Sequence, residues 1–218
     1  MTAIQKTEEK LRRMILDMEI GPGERLTERW IEGQVGTSRS SIRTALFRLE
    51  AEGLIRREGR SWIVSPININ EIEQLFVYRE ILEIAAIRLG GHNITESNFI
   101  KIEKILSALT SESTPEQSEQ IGYEFHLWIA NLSNNDFIIQ GIQDAMLQLQ
   151  RVRWLESDSA HHGWEEHHSI INALRQDEVE SAVDLLEKHI RTTKERLLTI
   201  LEKDQRSLRA KGITIVSN

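Results

Sequence analysis

The sequence predicts a mainly α-helical protein, with an N-terminal winged helix-turn-helix domain followed by a C-terminal all-α antiparallel bundle of about six helices. Three observations carry this prediction. The 218 residues include only 3 prolines and 12 glycines, which favours long uninterrupted helices. Apolar residues recur at helical spacing along most of the chain. Near residue 60, two short segments that favour β-strands flank a glycine, which predicts a hairpin.

The composition narrows the class of protein further. The chain contains no cysteine, which excludes a disulfide scaffold, an iron–sulfur cluster, a thiol nucleophile and cysteine-ligated zinc. It has no apolar run of about 18 residues, the length that a membrane-spanning helix needs. Acidic and basic residues are interleaved at the N-terminus, unlike a secretory signal. We therefore expect a cytoplasmic protein without a membrane partner.

The first domain is predicted to contain three helices and a hairpin. Gly21-Pro22-Gly23 ends the first helix, Ser38 is a suitable N-cap for the third, and Gly53 follows the end of the third. In chain order, the predicted elements are helices over 4–18, 28–35 and 39–52 and strands over 54–57 and 61–64. This order of elements is that of a winged helix-turn-helix.

The second domain is predicted to be entirely helical. Residues 66–70 are predicted to be a linker between a domain over 1–65 and a domain over 71–218, and Asn70 with Glu73 could form a capping box. The predicted helices cover 71–89, 95–109, 116–133, 136–157, 163–175 and 179–202. The tail from residue 204 has only weak helical character and a β-prone end, and the sequence does not place it.

Charge is distributed unevenly between the two domains. The whole chain has a net charge of −7, but residues 1–68 hold 12 basic and 10 acidic residues, so their net charge is +2 and that of the remainder is −9. Residues 37–48 carry three arginines and no acidic residue. Because electrostatic attraction decays over ~8–10 Å in physiological salt, a local basic surface is sufficient for phosphate contact. The charge pattern therefore favours double-stranded DNA as a partner.

The predicted third helix carries the residues best suited to reading DNA. A helix-turn-helix places its second helix in the major groove, where arginine can bind guanine or phosphate and short hydroxyl side chains can reach base edges or phosphate. The candidates, including one arginine on the preceding helix and one at the hairpin, are Arg29, Ser38, Arg39, Ser40, Ser41, Arg43, Thr44 and Arg60.

Four polar residues fall on predicted apolar faces of the second domain. Arg79 lies within the apolar stripe of the 71–89 helix, and burial of its charge would require an internal anion or a glutamate partner. His126, His167 and His189 lie on or beside the apolar stripes of three other helices. Neutral imidazoles that converge in a bundle can hold a divalent metal. The other four histidines, predicted to be solvated, are His92, His161, His162 and His168.

The first domain resembles the DNA-binding head of GntR-type bacterial transcription regulators. The resemblance is carried by GPGERLTE over 21–28, SRSSIRTAL over 38–46 and EGLI over 52–55. It implies that arginines at positions 29, 39 and 43 contact DNA. The hairpin over 57–61 is one residue shorter than the family pattern, and Ser61 replaces the usual glycine, so the resemblance does not extend to the minor-groove contact.

The second domain resembles the FCD effector domain of the FadR-like branch of that family. Phe125-His126, Glu166-His167 and the Ala182–His189 spacing match its pattern. The resemblance implies a divalent metal, such as Zn or Ni, held by His126, His167 and His189, with Arg79 and the metal binding a small carboxylate. The family's aspartate ligand is replaced by Gly122. A pocket that binds an organic acid without metal, or a fatty-acyl site, is therefore an alternative.

These features together predict a ligand-responsive transcription regulator, most simply a repressor. It would act as a homodimer on a palindromic operator, because helix-turn-helix dimers read two half-sites one helical turn apart. A small organic acid would be the effector. Two alternatives belong to other classes: a metal-dependent hydrolase that uses the three-histidine cluster, and a helical adaptor that does not bind DNA.

Overall fold

The computed structural model forms two compact units. The residues it describes are 1–110, 112–153, 163–203, 205–210 and 212–216. One unit comprises residues 1–72 and 201–218, and the other comprises residues 73–200. The first has the elements of a winged helix-turn-helix and the second is helical, so the predicted fold class is confirmed.

The described helices and strands follow the predicted order, with additional short strands. In chain order they are α1 (Ala3–Leu16), β1 (Arg25–Leu26), α2 (Glu28–Val35), α3 (Arg39–Ala51), β2 (Ile55–Glu58), β3 (Ser61–Val64), β4 (Ile67–Asn68), α4 (Ile69–Gly90), α5 (Glu96–Leu106), α6 (Pro115–Leu132), α7 (Asp136–Arg153), α8 (Trp164–Arg175), α9 (Val179–Lys203), α10 (Gln205–Ala210) and β5 (Ile215–Val216). A 3₁₀ turn over Gly91–Asn93 follows α4. The last four residues of the predicted 136–157 helix lie outside the described residues.

Local capping sets the ends of the helix-turn-helix. The Ser38 hydroxyl accepts a hydrogen bond from the backbone N–H of Ser41, which satisfies one of the unpaired donors at the start of α3. Gly53 follows the end of α3 with a φ of 74°, a conformation that disfavours residues with a Cβ. Both predicted caps of α3 are therefore confirmed.

Apolar side chains from the three helices and the sheet form the core of the first unit. Its fully buried members are Leu11, Ile15, Leu26, Ile31, Ile42, Leu46, Leu49, Leu54 and Val64. The sheet has the order β1-β3-β2, and both pairs are antiparallel. The sequence analysis missed β1, because a two-residue strand is too short to show alternation.

The C-terminal segment lies in the first unit, beside the residues predicted to be a linker. Strand β5 pairs in parallel with β4, so that Ile67 is opposite Ile215. The backbone N–H of Thr214 donates to the Pro22 carbonyl, and Ile215 is 2% exposed. The predicted linker is therefore strand β4 followed directly by α4. The Asn70–Glu73 capping box was wrong, because the Asn68 side chain accepts from the first N–H groups of α4 instead.

Six α-helices, α4 to α9, make up most of the second unit within the described part of the chain. Glycines allow helices to approach closely. A Cβ at Gly90 would lie 1.8 Å from the Leu132 carbonyl oxygen of α6, and a Cβ at Gly141 would lie 2.6 Å from the Tyr78 hydroxyl. Helical spacing predicts an apolar stripe on α4 from Ile72 to Leu89, and this prediction was wrong at Leu89, which is 58% exposed.

None of the described helices combines the length and the apolar composition needed to cross a bilayer.

Candidate DNA-binding and effector sites

The two arginines of the predicted major-groove helix lie on the surface. Their side chains are 70% exposed at Arg39 and 64% exposed at Arg43. Each faces an acidic residue of α2: Arg43 Nε donates to Glu28 Oε1 at 2.6 Å, and Arg39 Nε is 3.7 Å from Glu32 Oε2. Ion pairs this exposed contribute little to stability, so phosphate or base oxygens can replace the acids as partners.

The hydroxyl candidates on α3 differ in how they are used. Ser38 caps the helix, and its Oγ lies 3.0 Å from the hydroxyls of both Ser40 and Ser41. The Thr44 hydroxyl donates to the Ser40 carbonyl. All four hydroxyls thus have a hydrogen-bond partner within α3 or its cap, and Ser38 and Ser40 are exposed.

The remaining two candidates, Arg29 on α2 and Arg60 at the hairpin tip, are exposed. Both lie in the first unit with α3. They are therefore accessible to a nucleic acid.

Four helices of the second unit bring Arg79 and the three histidines together. Arg79 is 1% exposed, and His126, His167 and His189 are buried as well. His189 Nε2 lies 3.3 Å from His167 Nε2 and 3.4 Å from His126 Nε2. Among the described residues, these histidines form the one group of three possible metal ligands whose donor atoms lie within 4.8 Å of each other.

Glu83 and Glu166 each contact the Nδ1 atom of one histidine of this cluster. Arg79 Nε donates to Glu83 Oε1 at 2.5 Å, and His126 Nδ1 lies 2.8 Å from Glu83 Oε2. His189 Nδ1 lies 2.6 Å from Glu166 Oε2. Because a carboxylate accepts hydrogen bonds, these contacts favour the tautomer with the proton on Nδ1, which leaves the Nε2 lone pair directed at the cluster.

Glu83 was not named in the sequence analysis, although a glutamate partner for Arg79 was one of its alternatives. The available signal was the spacing of Arg79 and Glu83, four residues apart on one helix. Burial raises the pKa of Glu83, while the Arg79 charge opposes the shift.

The histidines are neutral near pH 7. Burial, together with the positive charge of Arg79, holds the pKa of His126 well below its usual value. Burial also lowers the pKa of His167 strongly and that of His189 despite its bond to Glu166. Neutral imidazole is the form that ligates metals.

The donor set fits a divalent metal. Zinc–nitrogen bonds of ~2.0–2.1 Å in tetrahedral geometry place neighbouring nitrogens about 3.3–3.4 Å apart, and the Nε2 distances from His189 are 3.3 Å and 3.4 Å. Arg79 Nη2 donates to His126 Nε2 at 2.7 Å. Hydrogen bonding by Arg79 and metal ligation are therefore alternatives at that atom.

Two family models match the chain. One, the FCD domain, matches residues 74–192, and the other, described as bacterial regulatory proteins of the gntR family, matches residues 3–64. The chain is an FCD-containing member of the gntR family. Members of this family are DNA-binding transcription regulators, and the predicted family and function class are confirmed.

Relatives and solved structures agree with this assignment. The chain is 24% identical over 191 residues to the Nta operon transcriptional regulator of Aminobacter aminovorans, covering 86% of this chain and 91% of the relative. It is 28% identical over 187 residues to LutR of Bacillus subtilis, covering 74% and 85%. A GntR regulator from Rhodococcus sp. RHA1 superposes with a TM-score of 0.78 at 20% identity, covering 91% and 99%. E. coli McbR/YncC superposes with a TM-score of 0.73 at 18% identity, covering 91% and 98%.

This FCD domain differs from the family pattern at Gly122. A Cβ at this position would have Arg153 Nη2 at 3.9 Å as its one neighbour within 4 Å. An aspartate here would therefore lie beside a guanidinium. Around the three neutral imidazoles, the charges of Arg79 and Arg153 are opposed by the carboxylates of Glu83 and Glu166.

Of the other four histidines, the two that the structure describes do not join the cluster. His92 is exposed and bonds Asp177 at 2.6 Å, and His168 is half-buried against the Trp164 ring. His161 and His162 lie outside the described residues.

Proposed function

We propose that this GntR regulator is a repressor whose second unit binds a small carboxylate metabolite at Arg79 and the three-histidine cluster. One observation carries the proposal: four helices bring a buried arginine and three neutral imidazoles within hydrogen-bonding distance of one another. Polar groups buried at this density are costly unless they are paired, and they cluster at functional sites. The effector would shift the equilibrium between arrangements with different operator affinity.

A divalent metal, Zn or Ni, held by His126, His167 and His189 is part of the proposal. A bound metal would supply positive charge and open coordination positions for carboxylate oxygens. Glu83 and Glu166 would keep two of the imidazoles in the ligating tautomer through their Nδ1 protons. Arg79 would bind the carboxylate through its guanidinium.

Elemental analysis and native mass spectrometry of the purified full-length protein test the site. We expect His167→Ala to lose bound metal and retained metabolite while operator affinity, measured by fluorescence anisotropy, stays within about threefold of wild type. His92→Ala is the matched control, because His92 is exposed and remote from the cluster. Equal metal content in wild type and H167A would reject the metal. If H167A simply unfolds, the histidine is structural and the site assignment is wrong.

A homodimer on a palindromic operator is also proposed. Among the described residues of the second unit, six large apolar side chains are exposed, and Val77, Tyr78 and Ile81 are three of them, at helical spacing on one face of α4. Phe137, at the start of α7, is 91% exposed, and α7 contacts α4 at Gly141. Exposed apolar side chains of this kind are suited to contact with a second copy of the chain. Two heads would then read half-sites about 34 Å apart.

Light scattering during size-exclusion chromatography tests the dimer. Ile81→Glu should shift the mass from dimer to monomer, because a charge would have to be buried in the interface. Ile100→Glu on α5 is the control, because Ile100 is exposed to nearly the same degree, 58% against 61%. A dimer that survives I81E would place the interface elsewhere.

The regulator family and the cluster both favour a binding function over catalysis. A hydrolase would need a general base beside a metal-bound water. Of the three nearby glutamates, Glu165 is exposed, Glu83 is bonded to Arg79 and His126, and Glu166 is engaged by His189 Nδ1. None of these glutamates is positioned for that role.

A further inference from the structure

An aromatic residue extends the arginine stripe of the DNA-reading helix. Arg39, Arg43 and Phe47 are spaced four residues apart, so they lie on one face of α3. Phe47 is 52% exposed, whereas most phenylalanine side chains in folded proteins are buried. Its ring meets Trp62 of β3 edge-on, with centroids 5.6 Å apart and an interplanar angle of 88°. The stripe therefore continues onto the hairpin.

Arg57 lies against both rings. It is directly opposite Trp62 in the β2–β3 register, so both side chains lie on the same face of the hairpin. Its Cζ is 4.6 Å from the Trp62 ring centroid and 5.2 Å from the Phe47 ring centroid. Within the residues that the structure describes, the Arg57 guanidinium contacts aromatic rings and no carboxylate. Arg39 and Arg43, by contrast, each face an acid of α2.

Contact with the aromatic rings holds the guanidinium without using its hydrogen-bond donors. The rings attract the positive charge, whereas the five N–H donors in the guanidinium plane stay available. This planar set of donors matches two phosphate oxygens at once. An arginine held in this way, exposed beside the DNA-reading helix, is prepared to bind an anion of the duplex backbone.

We propose that Arg57 binds a DNA phosphate flanking the groove that α3 enters, and that Phe47 and Trp62 are positioning residues that hold its guanidinium. The neighbouring Arg56 has the same charge but points to the opposite face of β2, because side chains alternate along a strand. The proposal therefore distinguishes two adjacent arginines that the sequence cannot rank.

The salt dependence of DNA binding tests the role of Arg57. The probes are a labelled duplex selected from a random library by the full-length protein and a scrambled duplex of the same composition. Each lost phosphate contact lowers the slope of log K against log salt by about 0.9. Arg57→Gln should lower the slope by about that amount for each bound head, equally on both duplexes, while Arg56→Gln leaves it unchanged. An unchanged slope in R57Q, or an equal loss in R56Q, would overturn the proposal.

Phe47 variants test the positioning role, because Trp62 is buried and its removal threatens the fold. Phe47→Leu should weaken binding to both duplexes and reduce the salt slope without lowering the thermal unfolding midpoint, and Phe47→Tyr should restore both values. Phenylalanine can also contact a thymine methyl group. If F47L changes the selected base sequence and leaves the salt slope intact, Phe47 reads a base and the positioning role is wrong.

Discussion

Arginine serves opposite purposes in the two units of this protein. In the winged-helix unit, Arg39 and Arg43 are exposed and form ion pairs with acids at the surface. In the FCD unit, Arg79 is buried, with Glu83 and His126 as hydrogen-bond partners. An exposed ion pair is screened and readily exchanged, whereas a buried charge depends on each of its partners. Burial therefore determines whether an arginine can exchange its partners for DNA or is held by partners inside its own unit.

The largest expected effect is loss of the buried partner. Glu83→Ala leaves the Arg79 charge buried without its carboxylate, so the free energy of unfolding should fall by roughly 3–5 kcal/mol in urea denaturation. Glu180→Ala, which removes the partner of the exposed Arg88, should leave the free energy of unfolding nearly unchanged. Similar losses in the two variants would contradict the comparison.

The comparison of exposed with buried side chains also applies to apolar residues of the first unit. Ile215 in β5 is 2% exposed, so Ile215→Ala should lower the free energy of unfolding by about 2–4 kcal/mol. Val216→Ala should cost less, since Val216 is only half-buried. If both substitutions leave the thermal midpoint unchanged, the C-terminal strand does not stabilise this unit.

Loss of an exposed arginine should affect DNA binding rather than stability. Arg43→Ala should weaken operator binding by roughly 1–3 kcal/mol and relax base preference, with little change in the unfolding midpoint. Arg13→Ala, in an equally exposed pair on α1, is the control for general loss of charge. If R43A and R13A bind the operator with equal affinity, Arg43 does not contribute to the interface.

The smallest expected effect comes from the acid that faces Arg43. Glu28→Gln frees the guanidinium from its ion pair, so DNA affinity should rise by up to about 1 kcal/mol in anisotropy titrations. Glu9→Gln on α1 makes the same charge change in a pair, with Arg13, that does not involve α3. Weaker binding in E28Q alone would mean that Glu28 positions Arg43 instead of competing for it.

Much of the fold could be predicted from local patterns. Ser38 and Gly53 identified the ends of α3, because capping depends on residues within one turn. Helical spacing placed Arg79, His126 and His189 on inward faces, and the structure buries all three. The stretch around Arg43 is rich in arginine and has no acidic residue, and it correctly indicated an exposed basic helix.

The sequence by itself determined the helices, their inward faces and the family of this protein, since periodicity, caps and motif spacing are local properties. Only the tertiary structure decided that Glu83 joins Arg79 to His126, that Arg153 lies beside Gly122, and that Arg57 stacks on Phe47. It also placed β5 against β4, which strands of two residues could not reveal. The physical reason is that the spacing of apolar residues shows which face of a helix or strand is buried. Which side chains cover that face depends on packing between elements that are distant in sequence.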